Sequence, residues 1–120
     1  MRLRTLCLLI SIFLGSAAFA DDDSGNDHER ACRMAVTRAD ASNFYEAAKV
    51  GECLGAISTI IFLNVFLDKP LQYCPPKGAT VGQHIKVVLK YMDDHPDQMN
   101  KNFVHLSLVA FNGAWPCQAK

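Results

Sequence analysis

The chain has no basic cluster, no C-x-x-C pair and a single tryptophan. Lys plus Arg balance Asp plus Glu, 12 against 12. With no positive stripe to displace counterions from phosphates, a nucleic-acid binder is excluded. Also missing are G-x-S-x-G, H-E-x-x-H and the P-loop, so no common hydrolase or nucleotide-binding class is signalled. The cysteines and histidines never fall at zinc-ligand spacing, and no metal or cofactor is expected. There is no internal repeat and no low-complexity tract. After the first twenty residues no apolar run is long enough to read as a membrane span. The densest, Ile57–Leu67, has 11 residues and includes Ser58, Thr59 and Asn64.

Core-forming residues are plentiful. Half of the 120 residues are hydrophobic, with 7 Phe and 3 Tyr, which is too rich for a disordered chain. One domain is the expectation at this length. The first twenty residues read as a secretory signal peptide (residues 1–20). Arg2 and Arg4 form the basic start, Leu6 to Leu14 the apolar stretch, and Ala18-Phe19-Ala20 a small-x-small cleavage site. Cys7 lies inside the apolar stretch, not at the cleavage point where a lipoprotein would need it. Removal of this segment leaves ten basic and twelve acidic side chains, a net charge of −2, and no membrane association is expected afterwards. Residues 21–27 (DDDSGND) hold no apolar anchor and read as a disordered acidic tail before a helical domain over residues 28–120.

Four cysteines remain after cleavage: Cys32, Cys53, Cys74 and Cys117. An even count behind a signal peptide points to two disulfides in an oxidising compartment. Four cysteines allow three pairings.

Four helices are predicted. The first spans about His28–Arg38, with Ala31, Met34, Ala35 and Arg38 at helical spacing. The second starts near Ser42 or Asn43 and runs to Leu67, its last third apolar on every side. A helix of that kind is a span or a central core element, and the short length favours a core helix, although its β-branched content also permits a strand. Asp68–Ala79, rich in Pro and Gly, is a loop. Thr80 and Gln83 form a capping box that opens the third helix, with Val81, Ile85, Val88, Leu89 and Met92 on one stripe. Asp93-Asp94-His95-Pro96 ends it. The fourth helix covers about Pro96–Asn112, with Gly113 as its C-terminal cap. The fold class is therefore all-α, a small four-helix bundle with two disulfides. Threading the helices up and down brings the start of the third beside the end of the fourth. This favours Cys74–Cys117, and with it Cys32–Cys53.

No catalytic site emerges, and the protein is not expected to be an enzyme. His28, His84, His95 and His105 read as structural or surface residues, with no nucleophile or metal set beside them. Asp93, Asp94 and Asp97 gather at one turn; solubility, with Asp97 complementing the dipole of the next helix, is expected ahead of a binding role. The best recognition candidate is the loop before the third helix, held by Cys74. Lys69, Leu71, Gln72, Tyr73 and Lys77 are the candidate partner-binding residues, with Tyr73 open to solvent; packing of Leu71 and Tyr73 on the end of the bundle is the equal alternative. A pre-ordered loop loses less entropy on binding. Trp115 and Phe111, flanking the last cysteine, are expected to cover the core there.

One ordered set of residues is more specific. Gly51-x-Cys53-x-Gly55 is followed by Cys74-x-Pro76, Thr80-x-Gly82-Gln83, Val87-Val88-x-Lys90-Tyr91, His95-Pro96 and Pro116-Cys117. From Cys32 to Cys117 this resembles the periplasmic immunity proteins of type VI secretion amidase effectors, the Rap/Tai family. Ala56 stands where the family usually has an aromatic residue. The resemblance implies a small disulfide-bonded helical protein exported to the periplasm. It would bind a cognate peptidoglycan amidase, a papain-like cysteine peptidase, and occlude its cleft; homodimers are also implied. The matching residues read as fold-maintaining. The alternative is a small periplasmic stress chaperone, or a structural protein of the same fold.

Overall fold

The computed structural model describes residues 23–118; the expected signal peptide lies outside them. The order is α1 (Gly25–Thr37), α2 (Phe44–Leu63), a 3-10 turn (Asn64–Phe66), α3 (Val81–Asp94), a second 3-10 turn (Pro96–Gln98) and α4 (Phe103–Ala114). No strand occurs among the described residues. Two isolated bridges do, Ser24 with Asn102 and Tyr73 with Pro116. The all-α class with two disulfides is as expected, and so is the pairing, Cys32–Cys53 and Cys74–Cys117.

α1 packs chiefly on α2 and α3 on α4, with α1 against α3 joining the two pairs. The core between them is built from Ala31, Cys32, Cys53, Ile57, Ile60, Tyr73, Ile85, Val88, Leu89, Met92, Phe103, Leu106, Ala110 and Phe111. The predicted stripe of α3 supplies four of its members. Ion pairs brace the surface, including Arg30 with Glu46 and Arg33 with both Glu29 and Asp93. The paired carboxylates hold the Arg33 guanidinium above its ordinary range, Asp93 most strongly. Such exposed pairs contribute little to stability singly.

The N-terminus departs from expectation. Residues 23–27 are built into the fold instead of forming an acidic tail, and α1 begins at Gly25, not at His28. Ser24 caps the helix, accepting from the Asp27 amide, while Asp27 reaches back to the Ser24 N–H at 3.0 Å. This capping box satisfies two otherwise orphan donors, which short polar residues do without any apolar anchor. Asp23 is clasped to α4: Phe103 donates its N–H to the Asp23 carbonyl at 2.7 Å, and the Asn102 amide donates to its carboxylate at 2.7 Å. Gly25 passes so close to Met99 and Leu106 that a Cβ there would sit 2.6 Å from Leu106 Cδ1. His28, expected at the edge of a tail, is buried instead, stacked on Phe103 with centroids 4.2 Å apart and bonded to Asp23.

Three other boundaries move. α2 becomes a 3-10 turn at Asn64, because the Asn64 side chain is used to hold the following loop. α4 begins at Phe103, since Asn102 caps it and accepts from the His105 amide at 3.1 Å; Pro96 opens only a short 3-10 turn. Gly113 lies inside α4, and Trp115 is the C-terminal cap residue. The Thr80–Gln83 capping box of α3 is present as predicted.

Candidate functional site

Two surfaces stand out, and both are set by the end of α2. The first is the loop between α2 and α3. The chain leaves α2 through Asn64, whose amide closes on the backbone of Tyr73. Asn64 Nδ2 donates to the Tyr73 carbonyl at 2.8 Å, and the Tyr73 N–H donates to Asn64 Oδ1 at 3.1 Å. A side chain thereby imitates a strand partner and satisfies backbone groups the loop cannot pair itself. Gln72 Nε2 donates to the Leu67 carbonyl, and Asn112 of α4 donates to the Leu71 carbonyl. Beyond Tyr73 the Cys74 N–H donates to the Trp115 carbonyl at 2.8 Å, and the disulfide to Cys117 fastens the same point covalently. Gly78 turns the chain toward Thr80 with φ at +84°, a conformation glycine adopts without strain.

These restraints sort the expected contact residues. Of the two readings of Tyr73, the structure shows packing on the end of the bundle: the residue is 1% exposed. Its ring lies against Phe111, Trp115 and His84, with centroids 4.8, 6.3 and 5.8 Å away. Burial pushes its hydroxyl up to about 12. Tyr73 is thus the anchor of the loop and not its contact. Lys69, Leu71 and Lys77 do reach solvent, and Gln72 is half-buried. As expected, Phe111 is buried and Trp115 half-buried over this end of the core.

The second surface was misjudged in the sequence. The apolar run from Ile57 to Leu67 was expected to be buried all round, as a central core helix. Only Cys53, Ile57 and Ile60 of α2 are buried. Phe62, Val65 and Phe66 are 70%, 72% and 73% exposed, and Leu54 and Leu63 are exposed as well. The Phe62 and Phe66 rings meet each other at 6.0 Å on the outside of the helix. From Cys53 to Leu67 no residue is charged. The reason is geometric: α1, α3 and α4 cover one side of α2, and none of the described residues covers the other. The helix through Phe66 is also long and apolar enough to cross a bilayer, by length and composition only.

A cleft of about 460 Å³ lies between α1 and the start of α2, lined by Arg30, Ala31, Met34, Tyr45, Glu46 and Lys49 among others. Its charges are already answered, Arg30 by Glu46 and Lys49 by Glu52. Glu46 is held below the usual carboxylate range by the Ser42 hydroxyl and amide, and then by Arg30. No group of three acidic, cysteine or histidine side chains among the described residues is arranged to hold a metal ion. His95 bonds through Nδ1 to the Tyr91 carbonyl and stacks on the Tyr91 ring at 4.1 Å, while His105 sits exposed on α4.

The geometry defines a class: a small helical domain, fastened by two disulfides, with one restrained loop and one apolar helix face that the described residues leave uncovered. Residues 24–117, nearly all of the described chain, match the family of Rap1a immunity proteins, and the chain belongs to that family. No curated protein and no solved structure matches it. Membership implies an immunity protein that binds a secreted protein effector.

Proposed function

We propose that the protein is exported to the periplasm and there neutralises a peptidoglycan amidase delivered by type VI secretion, by covering its catalytic cleft. The observation that carries this reading is the state of the Lys69–Lys77 loop. It is held on both sides of Tyr73, by Asn64 and by the disulfide, yet presents Leu71, Lys69 and Lys77 outward. A segment so restrained keeps its shape on binding and loses little further entropy. Steric occlusion needs no reactive group in the inhibitor. With a net charge of −2 in the mature form, long-range steering is weak, and affinity comes from buried anchors at the contact.

The uncovered face of α2 takes a second copy of the chain. At roughly 200 Å² per ring, Phe62 and Phe66 leave about 300 Å² open, and Leu54, Leu63 and Val65 extend the patch. That lies at the upper end of the ~300–600 Å² that the largest apolar patch of a monomer spans, a size that marks a contact surface, and it is the larger part of the ~800 Å² per partner of a standard interface. An uncharged face can meet its own copy about a two-fold axis without opposing like charges. The absence of Lys and Arg along it offers nothing to anionic lipid headgroups.

The test is direct. Mature protein is titrated into an amidase encoded beside it, and hydrolysis of peptidoglycan is followed. Stoichiometric loss of activity is expected, relieved by Leu71→Asp. Full amidase activity at saturating inhibitor sinks the proposal.

A further inference from the structure

The aromatic cage beneath the second disulfide holds a donor and an acceptor that no described residue satisfies. His84 is 1% exposed, and its Nδ1 lies 2.8 Å from the Thr80 carbonyl. A carbonyl only accepts, so Nδ1 carries the hydrogen and Nε2 of the neutral ring carries the lone pair. Nε2 is buried with no partner among the described residues, and so is the Tyr73 hydroxyl. The two rings stand edge-on with centroids 5.8 Å apart, and Phe111 and Trp115 flank the imidazole at 5.0 and 4.8 Å.

The elements around this cage are poor in charge. Along α4 the one titratable side chain is His105, which is exposed and nearer the start of the helix. The half of α2 from Cys53 onward has none. The loop contributes Tyr73 from inside and Asp68, Lys69 and Lys77 from its exposed side. On α3 itself Lys86, Lys90, Asp93 and Asp94 are exposed, and Tyr91 is half-buried. Trp115 to Gln118 bring no charge.

We propose that His84 is an acid-sensitive latch on the Lys69–Lys77 loop: protonation of Nε2 opens the aromatic cage and releases Tyr73 from its seat. The neutral pair consists of one donor, the phenol, and one acceptor, Nε2, on rings that stand edge-on to each other. The protonated ring presents a second donor, leaves the phenol hydrogen without an acceptor and places a positive charge among apolar rings. Burying an unpaired charge is far costlier than exposing one, so protonation favours the open cage. Tyr73 is both a wall of the cage and the neighbour of Cys74, so its release passes directly to Leu71, Lys69 and Lys77. The disulfide keeps the loop tethered, and the change is reversible. The consequence for inhibition rests on the proposed effector contact, whereas the latch is a property of the free protein.

Trp115, the only tryptophan, touches His84 and reports on the cage. The oxidised mature protein is taken from about pH 8 to about pH 5, and emission and exchange are read at each step. Expected are a red shift of Trp115 emission and loss of hydrogen-exchange protection at the Tyr73 and Cys74 amides, while amides of α1 keep theirs. His84→Asn, whose amide still donates toward the Thr80 carbonyl but does not titrate in this range, removes both changes. Flat emission and exchange across the range, or the same transition in His84→Asn, overturns the proposal. Should that variant not fold, imidazole NMR of the unsubstituted protein carries the test. His84 must then titrate together with Trp115, and a ring that stays neutral throughout overturns the latch. An inactive inhibitor in the amidase assay would leave these signals untouched, and a flat Trp115 signal would leave the amidase proposal standing.

Discussion

Asn64 and Tyr73 are joined at both backbone positions: the Asn64 amide donates to the Tyr73 carbonyl and accepts from its N–H. This clamp ends α2 and seats the Lys69–Lys77 loop in one step. Replacing Asn64 with Ala leaves two partly buried backbone groups unpaired and is expected to cost about 2–3 kcal/mol. Urea denaturation measures it. A midpoint unchanged from the parent protein would mean that water replaces the clamp at no cost.

The two disulfides differ in access. Cys32 and Cys53 are fully buried, whereas Cys74 and Cys117 are exposed. Under limiting dithiol, alkylation followed by mass spectrometry is expected to label Cys74 and Cys117 first. By the chain-entropy model the bonds contribute about 3 and about 4 kcal/mol. Paired Ser substitutions, read as midpoints of thermal unfolding, give the comparison. Simultaneous labelling of all four cysteines would show that the helix pairs open together.

Phe62 and Phe66 add little to the folded monomer, since most of each ring faces outward. The double substitution to Ser is expected to leave far-ultraviolet circular dichroism and monomer stability within ~1 kcal/mol of the parent. Light scattering is expected to move from twice the chain mass to once. A monomeric parent protein at high micromolar concentration would remove the second copy from the account.

Gly25 has no room for a side chain: a Cβ would meet Leu106 Cδ1 at 2.6 Å and the Met99 carbonyl at 3.0 Å. Gly25→Ala is expected to cost about 1–3 kcal/mol through forced displacement. Loss of protection at the Phe103 amide, which donates to Asp23, would accompany it in hydrogen exchange. Unchanged stability would mean that the clasp of the N-terminus on α4 shifts freely.

Acid acts on the helix caps. The Ser24 hydroxyl and then the Ser24 amide hold the Asp27 carboxyl below its ordinary range, and Lys90 does the same for Asp94. A carboxyl depressed in the folded state stabilises it above the unfolded value. That contribution is lost as pH falls through the folded one. Denaturant midpoints are therefore expected to fall below about pH 4, less steeply in Asp27→Asn. A parallel decline in that variant would exonerate the cap.

Much of the fold could be read in advance. The α3 stripe and the Thr80–Gln83 box are local signals that packing did not override, and the disulfide pairing followed from helix order. The failures share a cause. Whether an apolar residue is covered depends on how many neighbours the chain supplies, and nothing in the spacing of Phe62 or Phe66 tells that α2 lacks one on that side. Tyr73 was legible only as a choice between an exposed contact and a packed anchor. A tyrosine between prolines reads as loop, but Asn64, nine residues earlier, turns it inward. The Asp23 clasp was hidden because its partners, Asn102 and Phe103, lie at the far end of the sequence.

The cysteines close in succession, Cys32 to Cys53 and then Cys74 to Cys117, with neither loop enclosing the other. A chain that emerges amino end first can thus seal its opening helix pair while only two of these thiols are available, when just one pairing exists. Oxidation can then keep pace with synthesis, and no mispaired bond between the halves has to be undone later.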